Sequence, residues 1–306
     1  MATLSIKPLG YALGAEVSGF DARKPVPPAL REELLQAWYQ YQVLVFPAQP
    51  LSMTEQIAFS RNFGDVDRND MAPRYRDPEH HEIVYITNKT LGPNMMSAKR
   101  VGRKWHADAT FALRPQKGAL LRCVEKPPVG GDTMWANMYL AYETLSPAMR
   151  AFLDPLECVH DVSLLPGAQE SNGNSAEHIA EFRRINPPVI HPLIPVIPDT
   201  GRKTLFLGWV REILGLSLEE SAAIIAFLDQ HAGSPEFVFR HRWSVDDIVL
   251  WDNRCTRHIA LPDYDHSKIR HMLRTTLLGE QPGRLAEGQG SLGNRETLLE
   301  AVQAVS

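Results

Sequence analysis

The 306-residue chain has few cysteines, no long apolar run and no block of like charges, and each of these absences removes a class of protein. Its three cysteines, Cys123, Cys158 and Cys255, show no paired spacing. A disulfide framework or zinc knuckle is therefore not expected, and reduced, mostly buried thiols are. No stretch approaches the roughly 18 uninterrupted apolar residues of a membrane span, and Met1 to Pro8 lacks the apolar centre of a signal peptide. The expectation is a soluble, cytoplasmic protein with no membrane partner. Lys and Arg number 32 against 36 Asp and Glu, with no like-charge run, so nucleic acid is not an expected partner either. Internal repeats and low-complexity linkers are also missing. One domain with a sizeable core is the simpler organisation for this length.

What is present begins with helix and strand signals. Pro27 to Gln40 carries Leu30, Leu34, Leu35 and Trp38 at helical spacing behind prolines. Ser52-Met53-Thr54-Glu55 and Ser217-Leu218-Glu219-Glu220 have the form of capping boxes, opening helices closed by Gly64 and Gly233. Asn137 to Leu153 reads as two short helices, the second capped by Ser146 with Pro147 in its first turn. Strands are expected at Val43 to Phe46, Ala119 to Val124, Thr204 to Leu207, Glu236 to Trp243, Ile248 to Trp251 and Lys268 to Gly279. Short strands with helices gathered around them predict an α+β chain with an all-β core, a jelly roll buttressed by helices. Asp65 to Lys104 and Ser163 to Pro188 lack periodicity and are expected to be lid loops.

The chemistry centres on Trp105-His106-Ala107-Asp108 and the distant Trp251-Asp252-Asn253-Arg254-Cys255-Thr256-Arg257-His258. On a strand, residues i and i+2 share a face, so His106 and Asp108 can turn toward one ion and His258 can complete the set. Two histidines and one carboxylate with open positions opposite are the ligands of non-haem Fe(II) oxygenases. The Lys268–Gly279 strand adds Arg270 and Arg274 on one face, separated by roughly 13 Å at about 3.3 Å per residue. Two buried guanidinium groups need anionic partners. Either two ligand anions supply them, or one arginine snorkels while the other pairs with an internal carboxylate. Asp252 and Asn253 are expected to shape the turn before His258. Trp105 and Trp251 are read as core packing or, alternatively, as walls of the site. His241 and the remaining histidines are read as structural or surface residues, and His271 points away from the arginine face.

With Gly130-Gly131-Asp132-Thr133 and the N-terminal Gly14 to Asp21, these motifs resemble the taurine dioxygenase / 2,4-dichlorophenoxyacetate dioxygenase family over about Val17 to Gly279. The resemblance implies a double-stranded β-helix and a single 2-oxoglutarate oxygenase domain over residues 1–280. Residues 281–306 would then be a tail, with a short helix at Arg295 to Val305. It implies Fe(II) on His106, Asp108 and His258, with 2-oxoglutarate as cosubstrate and O2 as oxidant. Thr133 and Arg270 match the positions that hold the distal carboxylate of 2-oxoglutarate, which suits a planar, bidentate guanidinium. Arg274 matches the position that holds the anionic group of the substrate, and Phe111 and Trp209 are candidate pocket walls. A carboxylate at position 108 favours hydroxylation over halogenation. The expected reaction hydroxylates a C–H bond of a small organic acid, with release of succinate and CO2.

Taurine-specific enzymes place an asparagine where this chain has Gly102, and a histidine and tyrosine where Asp67-Arg68-Asn69-Asp70 follows Phe63-Gly64. A carboxylate or sulfonate on an apolar body is therefore expected in place of taurine. Two other classes stand beside this one: a zinc-dependent hydrolase using the same three ligands and a non-catalytic jelly-roll binding protein. The hydrolase has no use for paired arginines, and the silent protein would be expected to have lost a ligand. The expected assembly is a homo-oligomer, a dimer or a tetramer.

Overall fold

A computed structural model of the chain describes residues 4–69, 75–91, 102–165, 176–279 and 283–286. In chain order the elements are β1 (Ser5–Pro8), β2 (Ala15–Ser18), α1 (Pro28–Tyr41), β3 (Val43–Phe46), α2 (Met53–Ser60), β4 (Val84–Thr87), β5 (Gly118–Glu125) and β6 (Thr133–Asn137). Next come α3 (Met138–Glu143), α4 (Pro147–Leu153), β7 (Glu157–His160), α5 (Ala176–Ile185), β8 (Val189–Pro192), β9 (Val210–Ile213) and α6 (Leu218–Ala232). The order closes with β10 (Val238–His241), β11 (Ile248–Asp252), β12 (Thr256–Ala260), β13 (His271–Leu277) and β14 (Arg284–Leu285). The result is a mixed, sheet-rich fold with helices. The chain divides into two compact units, one of residues 1–105, 116–137 and 238–279, the other of residues 106–115, 138–237 and 280–306.

The first unit holds a seven-stranded sheet in the order β1-β2-β3-β11-β5-β13-β4 and a three-stranded sheet in the order β10-β6-β12. Every pairing is antiparallel except β2 with β3. The period of two sorts the side chains of the large sheet onto two cores. Leu44, Phe46, Leu120, Ile248, Leu250 and Leu277 pack with Leu34 and Trp38 of α1 and Phe59 of α2. Val43, Val45, Ala119, Leu121, Val249, Trp251 and Met272 pack the other way, with Trp135 of β6 and Trp243. Burial on both faces explains why β3, β5 and β11 read as continuous apolar runs. Gly118 opens β5 because nothing larger fits. A Cβ there would lie 2.5 Å from the Trp251 carbonyl oxygen and 2.7 Å from the Trp38 ring.

The second unit holds a four-stranded sheet in the order β14-β8-β7-β9, with α3, α4, α5 and α6. Both expected capping boxes form, Ser52 with Glu55 and Ser217 with Glu220, and Ser146 caps α4. Gly233 closes α6, whereas α2 stops at Ser60 and reaches Gly64 through turns. All three cysteines are free and buried, and burial pushes the Cys123 thiol up to about 12. Among the described residues, no helix is long and apolar enough to cross a membrane.

Several expected elements differ. Thr204 to Leu207 is buried but is not a strand. Its backbone N–H groups go singly to Pro195, Met138 and Leu193 rather than to one ladder, and the strand forms at β9 instead. Glu236 to Trp243 begins as a 3-10 turn over Pro235–Phe237, so β10 is only four residues long. The arginine strand shortens to His271–Leu277, which leaves Arg270 just before it. Within the aperiodic segments lie β4 and α5. The expected tail helix at 295–305 lies outside the described residues.

Candidate metal centre and anion site

His258 sits in the middle of β12, opposite Trp135 of β6, and its ring packs on Trp251 at 5.0 Å between centroids. The turn that delivers it is tightly bonded. Asp252 accepts from the Arg254 backbone at 3.0 Å and from its guanidinium at 2.9 and 2.7 Å, while Thr256 Oγ1 donates to the Asp252 carbonyl at 2.7 Å. Asn253 donates to the Gln116 carbonyl at 3.2 Å. Asp252 and Asn253 thus have the turn-shaping role read from the sequence. Trp251 is both core and a wall against His258. Trp105 is only half-buried rather than core, and its carbonyl accepts from Arg257 at 2.8 Å.

His106 and Asp108 are not on a named strand, contrary to the expectation. His106 precedes a turn in which Asp108 lies, and Ala109 has φ of +50°, the left-handed region that a residue with a Cβ seldom adopts. The turn is held by Ala112 N–H on the Ala109 carbonyl, by His191 Nε2–H donating to the Ala112 carbonyl at 3.0 Å, and by Trp209 N–H donating to Thr110 Oγ1 at 3.0 Å. The Trp209 ring lies 5.9 Å from that of His106. Trp209 is thus beside a candidate ligand, while Phe111 is half-buried and makes no such contact among the described residues.

The three candidate ligands converge. One donor atom each from His106, Asp108 and His258 lie within 4.8 Å of one another, and His106 Nε2 is 3.4 Å from Asp108 Oδ1. Donors bound side by side at about 2.1 Å from one ion lie roughly 3 Å apart, so a small inward shift completes the site. His106 and His258 are buried, with Asp108 only partly exposed. Two imidazoles and a carboxylate are the donor set that suits ferrous ion with open positions, so the residues fit the metal that the sequence implies.

Arg270 is the candidate for the second half of the site. It is 7 % exposed, donates through Nε to the Gly131 carbonyl at 2.9 Å and through a terminal nitrogen to Thr133 Oγ1 at 3.3 Å, and faces no carboxylate within ion-pair distance among the described residues. Burial lowers its pKa from the ordinary guanidinium value. A buried cation with neutral acceptors alone fits an anionic ligand. The Gly130-Gly131 turn that presents these acceptors has φ of +74° at both residues. A Cβ on Gly130 would lie 2.1 Å from the Asp263 carbonyl oxygen, while Asp263 Oδ1 accepts the Gly131 N–H at 3.0 Å. Arg240 ties Asp132 to Asp263, 2.8 Å from each. Arg274 lies in β13, in register with Leu121 and Val84.

Two features were missed from the sequence. Trp243 donates its indole N–H to Thr133 Oγ1 at 3.0 Å. Only a tryptophan two residues past β10 hinted at this. The other is a fully buried histidine pair, His160 and His191, whose rings meet edge to face at 5.1 Å. Among the described residues neither nitrogen of His160 has a hydrogen-bond partner, so there it is not the satisfied core residue expected. Elsewhere the readings hold. His241 pairs with Asp247 at 3.1 Å, and His271 stacks on Tyr85 at 5.7 Å.

Comparison with known proteins agrees with this geometry. The chain is 33 % identical over 288 residues to the alpha-ketoglutarate-dependent 2,4-dichlorophenoxyacetate dioxygenase of Cupriavidus pinatubonensis, covering 89 % of this chain and 97 % of that one. It is 31 % identical over 284 residues to the (S)-phenoxypropionate/alpha-ketoglutarate-dioxygenase of Sphingobium herbicidovorans, covering 92 % and 97 %. The crystal structure of AAD-2 in complex with Mn(II) and N-oxalylglycine matches with a TM-score of 0.77 at 30 % identity, over 92 % of this chain and 99 % of that one. A model of one family matches residues 5–276, spanning every motif above, and on that match the chain belongs to the taurine catabolism dioxygenase TauD, TfdA family.

Proposed function

We propose that the chain is an Fe(II)- and 2-oxoglutarate-dependent dioxygenase that hydroxylates a C–H bond of a small organic anion, a carboxylate or sulfonate on an apolar body. The observation that carries this is the conjunction of two sites: three metal-binding side chains within 4.8 Å of one another, and a buried arginine with no carboxylate partner among the described residues. A zinc hydrolase has need of the first and no use for the second. Neither it nor a silent binding protein draws support from the relatives above. The family model runs without interruption from residue 5 to 276, which supports one oxygenase domain over 1–280 with 281–306 as a tail. Strands buried on both faces and clad by helices support a jelly-roll core.

His106, Asp108 and His258 would hold the ferrous ion, and Arg270 with Thr133 the distal carboxylate of 2-oxoglutarate. When bound, ion and cosubstrate supply the activation of O2 that places one oxygen atom in the substrate and the other in succinate, with loss of CO2. The chain's own residues bind and orient. The Asp252–Arg254 pair sets the direction of His258, and the turn at Ala109 that of Asp108. Arg270 selects a dicarboxylate, as N-oxalylglycine also is. Arg274 would take the anionic group of the substrate, with Trp209 and Phe111 as walls. The assembly is proposed to be a homo-oligomer, dimer or tetramer, which native mass measurement reads directly.

The test is a panel of aryloxyalkanoates, alkylsulfonates and sulfate esters with Fe(II), 2-oxoglutarate and air, scored for succinate. One acid that raises succinate in step with hydroxylated product, with zinc inhibiting, is the expected result. Turnover that needs no 2-oxoglutarate would overturn the reading. Arg274→Ala is expected to weaken the substrate while sparing 2-oxoglutarate; equal loss of both would refute that division of labour.

A further inference from the structure

A threonine hydroxyl has two lone pairs and one proton. At Thr133 both lone pairs are committed, to Trp243 Nε1–H at 3.0 Å and to the Arg270 guanidinium at 3.3 Å. Thr133 is 2 % exposed and Trp243 3 %, so both are largely shielded from bulk water. Among the described residues no acceptor takes the hydroxyl proton. The proton is left for a ligand that accepts.

Trp243 is itself held in place. Its ring meets His241 edge-on at 4.8 Å and lies 6.5 Å from Trp135. His241 pairs with Asp247 Oδ2 at 3.1 Å, and the same oxygen accepts the Ser244 N–H at 2.8 Å. The indole therefore cannot swing to another acceptor without breaking packed contacts on both sides.

We infer that Trp243 is a positioning residue for the cosubstrate: its indole N–H holds the Thr133 hydroxyl in the one orientation that donates to the distal carboxylate of 2-oxoglutarate. This rests on the cosubstrate site described under Proposed function. Arg270 supplies charge; Trp243, acting through Thr133, supplies direction. Without the indole N–H one lone pair of Thr133 is released, and the hydroxyl can turn that lone pair toward the carboxylate, where like charges repel. The effect belongs to binding of the dicarboxylate rather than to the metal or the substrate.

The test is calorimetric titration of 2-oxoglutarate into Mn(II)-loaded protein, which reads binding with no turnover. Trp243→Phe, Thr133→Val, the double variant and Thr133→Ser are compared, with Mn(II) affinity measured in each. Thr133→Val is expected to weaken 2-oxoglutarate about tenfold and Trp243→Phe about fivefold, the range of one hydrogen bond to a charged group. The double variant should be no weaker than Thr133→Val alone, because Trp243 acts only through the hydroxyl. Thr133→Ser should retain affinity, and Mn(II) affinity should not move. Equal weakening by Trp243→Phe with and without the Thr133 hydroxyl overturns the inference, as does no weakening at all. If Thr133→Val itself has no effect, the cosubstrate site is misplaced and the inference falls with it. Should Trp243→Phe fail to fold, Trp243→benzothienylalanine keeps the shape and removes only the N–H; unchanged affinity in that variant also overturns the inference.

Discussion

Replacing Arg270 by methionine separates the two demands that the structure places on this residue. Methionine keeps most of the aliphatic stem and removes the charge. A guanidinium has five N–H donors. In Arg270, 7 % exposed, two of them are engaged among the described residues, on the Gly131 carbonyl and Thr133 Oγ1. Without ligand, the remaining donors and the charge are held in a poorly solvated place, and burial lowers the pKa accordingly. Leaving such groups unsatisfied costs about 1–3 kcal/mol, comparable with the about 2 kcal/mol carried by the two hydrogen bonds that methionine would forfeit. The ligand-free variant should therefore melt close to the parent, within about 2 °C at roughly 2 °C per kcal/mol for a large domain. Binding should move the other way. Loss of a bidentate charge-assisted contact worth about 2.7 kcal/mol raises the 2-oxoglutarate Kd roughly a hundredfold. The assay is thermal unfolding of Mn(II)-loaded protein with and without 2-oxoglutarate. At about 100 times Kd the parent gains about 2.7 kcal/mol from the ligand, and at the same concentration the variant gains little. A ligand-free variant destabilised by several kcal/mol, yet still stabilised by 2-oxoglutarate, would show that Arg270 is a structural ion and refute the argument.

Gly118→Ala should cost about 3 kcal/mol or prevent folding, because the new methyl has the Trp251 carbonyl and the Trp38 ring in its space; denaturant titration measures it. Burial alone would raise the Asp161 pKa, but hydrogen bonds from Arg183 and Ser163 outweigh it and hold the carboxyl at about 2. Its folded value lies below the unfolded one, so the stabilisation is present above about pH 4 and is lost as pH falls toward 2. Asp161→Asn should lower stability by about 2 kcal/mol at neutral pH, the range of a hydrogen bond to a charged group, because the carboxylate is buried while its partner Arg183 is 40 % exposed; the gap to the parent closes in acid. Burial also lowers His191 to about 4 and holds His160 well below 6.5. Stability from these neutral imidazoles is present above pH 6.5 and falls away toward pH 4, so His160→Leu should flatten the melting-temperature profile over that interval by roughly half. An unchanged slope would mean that the pair does not titrate on unfolding.

The parts that were legible in the sequence are those whose pattern is local. Both capping boxes, the Ser146 cap and the apolar runs of β3, β5 and β11 declare themselves within a few residues. So do the three candidate metal ligands, because a histidine, an aspartate and a distant histidine have few other reasons to share such motifs. What escaped depends on long-range contact. β12 carries Arg257 and His258 amid polar neighbours and is a strand only because β6 pairs with it. β7 and β8, with the sequences Glu157–His160 and Val189–Pro192, are too short and too mixed to show a period of two. Thr204 to Leu207 has strand composition, yet its partners lie in three different places. The segment around Asp108 looked like a strand because i and i+2 must face together. A left-handed Ala109 achieves the same convergence through a turn, which no composition signals. Trp243 escaped for the same reason: its role is defined by Thr133, more than a hundred residues earlier in the chain.

The large sheet of the first unit meets helices on one side and the strand bearing His258 on the other. Its helical side therefore offers an attachment point remote from that strand. Glu32 and Glu33 of α1 face solvent, while Leu34 and Trp38 hold the helix down. Cysteines placed at those two glutamates for dye coupling or bead immobilisation, together with the three native thiols shut inside, would give a labelled enzyme in which the strand bearing His258 is left untouched.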